Sequence, residues 1–280
     1  MDALTKLSRL TRIEIYKLWC KPSARAVLIF MFAGPILGEA ILASISTREA
    51  TFPKVAQFMF SSDMLMMLAL MTVVISVLAL GNDYELGTVR AIISRGVDRH
   101  LYILSKIIAS VSAAFVNGLV FIIAAFASTA VVHITYSTVL LSEAVGTDIF
   151  WRLLGATGLI GLVNFVLSGV VMLALVIGRS SWVGMLAGLG YFFSDFIVGG
   201  LGSGNVLGVK DAYRYTVAYH AISINELFFP SDPSVSLPRA WIDAGLASPT
   251  SAVIVLLFYG AVLAGISIFL FQRQDLMEKS

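Results

Sequence analysis

Charge is scarce in this sequence. Only 13% of its 280 residues are Asp, Glu, Lys or Arg, against about 25% in soluble domains, while 58% are hydrophobic. A soluble domain must still cover itself with polar surface, so a mean hydropathy of +0.91 excludes that class and makes lipid the solvent for much of the chain. The formal net charge is only +2, which leaves no global basic field, and no nucleic-acid partner is expected. Cysteine is nearly absent: Cys20 stands alone, so there is no intrachain disulfide framework. His100, His133 and His220 lie far apart and give no local metal-ligand spacing. The motifs of hydrolytic chemistry are missing as well. No lysine follows a glycine, so the chain has no phosphate-binding P-loop of its own. It also has no His-Glu-x-x-His and no Gly-x-Ser-x-Gly; Gly202-Ser203-Gly204 reads as a helix terminator. No internal repeat recurs at a fixed period.

What the chain does have is long apolar runs. A helix needs about 20 apolar residues to cross the hydrocarbon core. Windows 64–82, 107–142, 153–178 and 244–272 carry no charge, and 26–47 and 180–209 carry one acid each, Glu39 and Asp195. The fold class expected is an all-α membrane protein, a single transmembrane domain over 1–280 with six spans. Their expected bounds are 26–46, 59–80, 105–133, 151–177, 182–201 and 250–271. The window 107–142 has no turn signal in its middle, so one long helix is expected there. Met1 to Lys21 is dotted with charge and the first apolar run starts near Ala26, so a retained first span is expected rather than a cleaved signal.

Orientation follows from the basic residues. With both termini inside, only Arg48, Lys54, Arg152, Lys210, Arg214 and Arg239 fall outside, and the other Lys and Arg lie on the inner side. Residues 3–21 place Leu4, Leu7, Thr11, Ile15 and Leu18 on one helical face, with Lys6, Arg9, Arg12 and Lys17 largely opposite. That pattern suits a helix lying on an anionic leaflet. The segment 202–249, opened by glycines and punctuated by Pro230, Pro233 and Pro238, holds an apolar stretch from Ala212 to Phe229. Short helices on, or dipping into, the outer leaflet are expected there.

The most informative segment is the loop 82–100. Val89, Ile92 and Ile93 sit at helical spacing beside Arg90, and the run stops at Gly96, which predicts a short amphipathic helix ended by a glycine. Here the chain resembles the permeases of ABC type-2 exporters. Their loop carries a Glu, Gly-Thr, apolar positions, a small residue or Pro with Val, an Arg, and a Lys heading the third span. Glu85, Gly87-Thr88, Ile92-Ile93, Gly96-Val97, Arg99 and Lys106 fit that order, with Gly96 standing where many members have Pro. The N-terminal amphipathic segment and the outer segment are also similar to that family's elbow and outer helices.

The resemblance implies a non-catalytic membrane subunit of an ATP-driven exporter, multi-pass in the cell membrane with both termini cytoplasmic. Its partners would be two separate ATPase subunits, which hold the ATP and Mg, and a second permease copy, identical or related. Glu85, Gly87, Thr88, Arg90, Ile92, Ile93, Gly96 and Arg99 would then couple to the ATPase. An ion-gradient-driven carrier or channel acting without an ATPase is the alternative. It calls for paired broken helices and inverted symmetry, neither of which the sequence displays.

Polar residues inside spans are costly and mark paths or partners. Glu39, Asp63, Asn117, Asn164 and Asp195 form the candidate substrate path. Counting its loops, the outer half holds ten acids against six bases, which would favour cations. Asp63 also fits a helix cap, Glu39 an ion pair with Arg152, and the asparagines interhelical hydrogen bonds. Gly184 and Gly188 make a small-residue face for close helix packing.

Overall fold

The computed structural model describes residues 3–45, 62–136, 147–202, 212–228 and 246–274. Every element among them is helical: α1 (Ala3–Cys20), α2 (Pro22–Ile45), α3 (Ser62–Glu85), α4 (Thr88–Ser94), α5 (Arg99–Tyr136), α6 (Thr147–Gly178), α7 (Ser181–Gly202), a 3-10 turn (Ala212–Tyr215), α8 (Val217–Phe228) and α9 (Pro249–Arg273). The stretches Arg99–Ala124, Trp151–Gly178 and Pro249–Arg273 are long and apolar enough to cross a membrane. Two bent pairs raise that number to five if each is one broken span: Ala3–Cys20 with Pro22–Gly38 at 75°, and Ala69–Glu85 with Thr88–Ser94 at 77°. Six crossings, as expected from the sequence, exceed what these lengths alone establish.

The breaks have local causes. Pro22 opens α2, where its missing N–H is harmless, and it disfavours helical backbone at Lys21, so the chain turns between α1 and α2. The freed carbonyls at the end of α1 are met by Arg25, whose Nε donates to Trp19 at 2.9 Å. At the other end of the chain, Ser248 caps α9 by accepting the Ser251 N–H, with Pro249 in the first turn. The described part of the window 107–142 lies in one continuous helix, the 38-residue α5.

Packing centres on α6, which touches α3, α5, α7, α8 and α9, while α1 and α2 pack on α5. Apolar residues from α1, α2, α3, α5, α6 and α9 merge into one core that includes Leu18, Met31, Leu80, Ile103, Met172 and Phe271. Gly184 and Gly188 act at close approaches. A Cβ on Gly184 would sit 2.5 Å from Leu175, and one on Gly188 2.6 Å from Val73, so α7 lies against α6 and α3 where only glycine fits.

Of the outer segment, the described helix α8 is packed into the bundle. Val217 and Tyr219 through Asn225 of α8 are buried, and the helix joins a second core with Leu159 and Val166 of α6 and Ala252 and Leu256 of α9. Most of its residues, polar His220, Ser223 and Asn225 among them, are enclosed by protein, while Leu227 near its end is 60% exposed.

Candidate functional site

At one end of the bundle the chain leaves α3 and re-enters at α5 through α4. Gly87 has φ +65° and Gly96 φ +83°, so left-handed residues bound this seven-residue helix on both sides. The Gly96 N–H donates to Ile93 O at 3.0 Å, closing the last turn. Thr88 anchors the start by donating from Oγ1 to Asp83 O at 3.2 Å. Val89 is 2% exposed, and Ile92 and Ile93 pack beside it on the bundle core. Of the residues the resemblance assigns to coupling, Glu85 and Arg90 therefore face outward, and the two isoleucines face the chain itself. Between Glu85 and Gly87 the turn displays Leu86, 74% exposed. Sequence reasoning passed over Leu86, although a lone large apolar residue at a glycine turn was the available signal.

Arg99 ties the loop's far side to the end of α9. Its Nη1 donates to Gln272 O at 2.9 Å and Gln274 O at 2.8 Å, placing a cation on a helix C-terminus. Gln274 in turn accepts from Tyr84 Oη at 3.2 Å and donates to Val176 O, so α3, α5, α6 and α9 meet here.

Below α4 lies a buried charge cluster. Lys106 of α5 is 1% exposed, and its ammonium donates to Glu14 of α1, to Asp83 of α3 and, at 2.9 Å, to the Ala79 carbonyl. Asp83 also accepts the Tyr102 hydroxyl at 2.6 Å, and Glu14 accepts Lys17 at 2.9 Å. Tyr102 stacks on Phe271 of α9 with ring centroids 5.8 Å apart. Beside the cluster is a cavity of about 240 Å³ lined by residues of α1, α3 and α5 and by Lys21. Burial lowers the Lys21 amine below its ordinary value; the Lys106 ammonium adds to the lowering, and Asp83 and Glu14 oppose it. Lys106 fits the family pattern, but the acids it meets went unrecognised. Glu14 lies three residues from Thr11 and four from Leu18, on the apolar stripe of α1, and that misplaced acid was the legible clue.

Of the candidate path residues, Asn117, Asn164 and Asp195 have described side chains. Glu39 and Asp63 fall on α2 and α3, but their side chains lie outside the described residues. Asp195 Oδ1 accepts the Val217 N–H at 2.9 Å and Oδ2 the Ala218 N–H at 2.7 Å, so its carboxylate caps α8. Asn164 accepts from Thr72, an interhelical bond between α6 and α3. Ser76, Ser110 and Ser168 form a buried hydroxyl triangle across α3, α5 and α6, with sides of 2.7, 2.9 and 3.2 Å. Asn117, 3% exposed, has no hydrogen-bond partner for either side-chain atom among the described residues. Comparison with known protein families and with curated proteins gives no match to this chain.

Proposed function

We propose that this chain is the membrane subunit of an ATP-driven exporter of the ABC type-2 kind. In this reading α2, α3, α5, α6, α7 and α9 are the six spans, α1 is the elbow helix, and α4 is the coupling helix. Both termini lie in the cytoplasm of a cell whose plasma membrane the chain crosses. A second permease copy completes the path, and two ATPase subunits supply ATP and Mg. The observation that supports it is α4 itself: a short helix between two left-handed glycines, with Glu85, Leu86 and Arg90 exposed at the end of the bundle. A rigid projection of this kind can pass a partner's movement to the helices it joins, without chemistry in this chain.

The buried acid–base cluster is the observation that favours a gradient-driven carrier instead. Transport by the purified chain in liposomes with an ion gradient and no ATP would decide for that alternative. The direct test of the coupling reading is the double variant Glu85→Ala/Gly87→Val. A β-branched side chain at φ +65° costs roughly 1–2 kcal/mol locally, and Glu85 is exposed, so insertion should be preserved. Transport and substrate-stimulated ATP hydrolysis should fall several-fold, or the ATPase subunit should dissociate. Wild-type transport with full ATPase retention would sink the assignment of α4.

A further inference from the structure

Lys21 differs from its neighbouring cations. Lys106 has three acceptors, two of them carboxylates, and Lys17 donates to Glu14. Lys21 is half-buried, yet its ammonium donates to the Leu78 carbonyl alone, and no salt bridge reaches it among the described residues. All three lysines line the cavity together with Glu14 and Asp83. The formal charge of that lining is three minus two, or +1. Because both carboxylates contact Lys106 and act on Lys21 only from beyond ion-pair distance, the charge left without a contacting partner is that of Lys21. A partly buried cation without a contacting counter-charge is unfavourable, and an anion entering the cavity would remove the penalty. Lys21 and Lys17 each keep two N–H donors uncommitted for it.

We infer that this cavity binds a phosphate group, carried by an anionic lipid or free in solution, with Lys21 as its main ligand and Lys17 as the second. A lining of net +1 matches a phosphodiester monoanion better than a phosphate dianion, which Glu14 and Asp83 would repel. Tyr16, 71% exposed, stands at the rim, and Leu4, 79% exposed, lies further along α1, so apolar surface is at hand for the rest of a lipid. The inference requires only that the chain sits in a membrane, and it stands whether or not an ATPase binds α4.

The test uses the full chain in phosphatidylcholine nanodiscs doped with phosphatidylglycerol, with retained lipid counted by native mass spectrometry. One phosphatidylglycerol per chain should be kept in preference to phosphatidylcholine. Lys21→Gln should weaken retention about tenfold, while Lys21→Arg should hold it. Arg9→Gln changes an exposed base of α1 outside the lining and should leave retention unchanged, which separates a site from general attraction to a charged surface. Without anionic lipid, Lys21→Gln should be at least as heat-stable as the wild type, because it removes a charge without a contacting partner. Should that variant fail to fold, Lys17→Gln gives the same readout with a smaller loss. Millimolar inorganic phosphate is the second arm: displacement of the lipid by it, abolished in Lys21→Gln, would assign the site to free phosphate. The inference is overturned by equal retention of both lipids with no phosphate binding. It is overturned equally by full retention in Lys21→Gln, or by an Arg9→Gln loss as large as that of Lys21→Gln.

Discussion

The end of the bundle that carries α4 and the end that carries α8 both bury carboxylates, but they satisfy them differently. At the α4 end, Glu14 and Asp83 from two helices converge on Lys106 of a third. At the α8 end, Asp195 has no salt bridge among the described residues, and both its oxygens accept backbone N–H groups at the start of a short helix. The first arrangement joins elements far apart in sequence and depends on charge. The second supplies the donors that a buried helix N-terminus would otherwise leave unmet, and it depends on hydrogen-bond geometry. An end held by charge can be rearranged by a new ion, whereas an end held by a cap is fixed unless the cap is lost.

The largest effect should come from breaking the charged end. Lys106→Met leaves two buried carboxylates facing each other and should cost about 3–5 kcal/mol, read as a lower unfolding midpoint in detergent. Replacing the cluster as a unit, Glu14→Gln/Asp83→Asn/Lys106→Met, should recover much of that loss, because the two carboxylates then no longer face each other unpaired. If Lys106→Met were tolerated as well as a change at Asp195, the contrast between the ends would fail.

The capped end should respond less and more locally. Asp195→Ala removes a charged acceptor shared by two amides and should cost about 1–3 kcal/mol, with faster hydrogen exchange at Val217 and Ala218. Asp195→Asn keeps one acceptor and should fall between. Unchanged exchange in Asp195→Asn, together with altered cation-stimulated transport, would make Asp195 a path residue rather than a cap.

The two ends were also unequally legible in the sequence. The long helices could be read because uninterrupted apolar windows have one solution in lipid, and α5 and α9 contain the expected spans 105–133 and 250–271. Gly87 and Gly96 could be read because a turn that opens and closes a short helix needs residues free to adopt positive φ. The Glu14–Lys106 pair spans 92 residues, and no local periodicity reports which faces of α1 and α5 meet. Asp195 was legible as a costly acid but not as a cap, since its partners are backbone atoms whose side chains carry no signal. The burial of α8 was half legible: its apolar composition excludes water but does not distinguish lipid from protein.

Between the ends, the hydroxyl triangle should give the smallest effect, and the size of that effect tests whether hydrogen bonds or close approach matter in the middle of the bundle. Ser76 bonds Ser110 at 2.7 Å and Ser168 at 2.9 Å. Ser76→Ala removes both bonds, yet Ser110 and Ser168 still have each other at 3.2 Å, so no hydroxyl is orphaned. Interhelical hydrogen bonds of this kind average about 0.6 kcal/mol in membranes, so a loss of roughly 0.5–1 kcal/mol is expected in the same detergent assay. Ser76→Val tests the other contribution. Ser76 is fully buried and meets two serines across helices, so valine, with one methyl in the hydroxyl's place and one more beside it, must push α5 or α6 away, at about 1–3 kcal/mol. A valine penalty larger than the alanine penalty would assign the serines to close packing, with the bonds as a minor gain. An alanine penalty approaching that of Lys106→Met would mean that the hydroxyls, not the charges, hold the helices together.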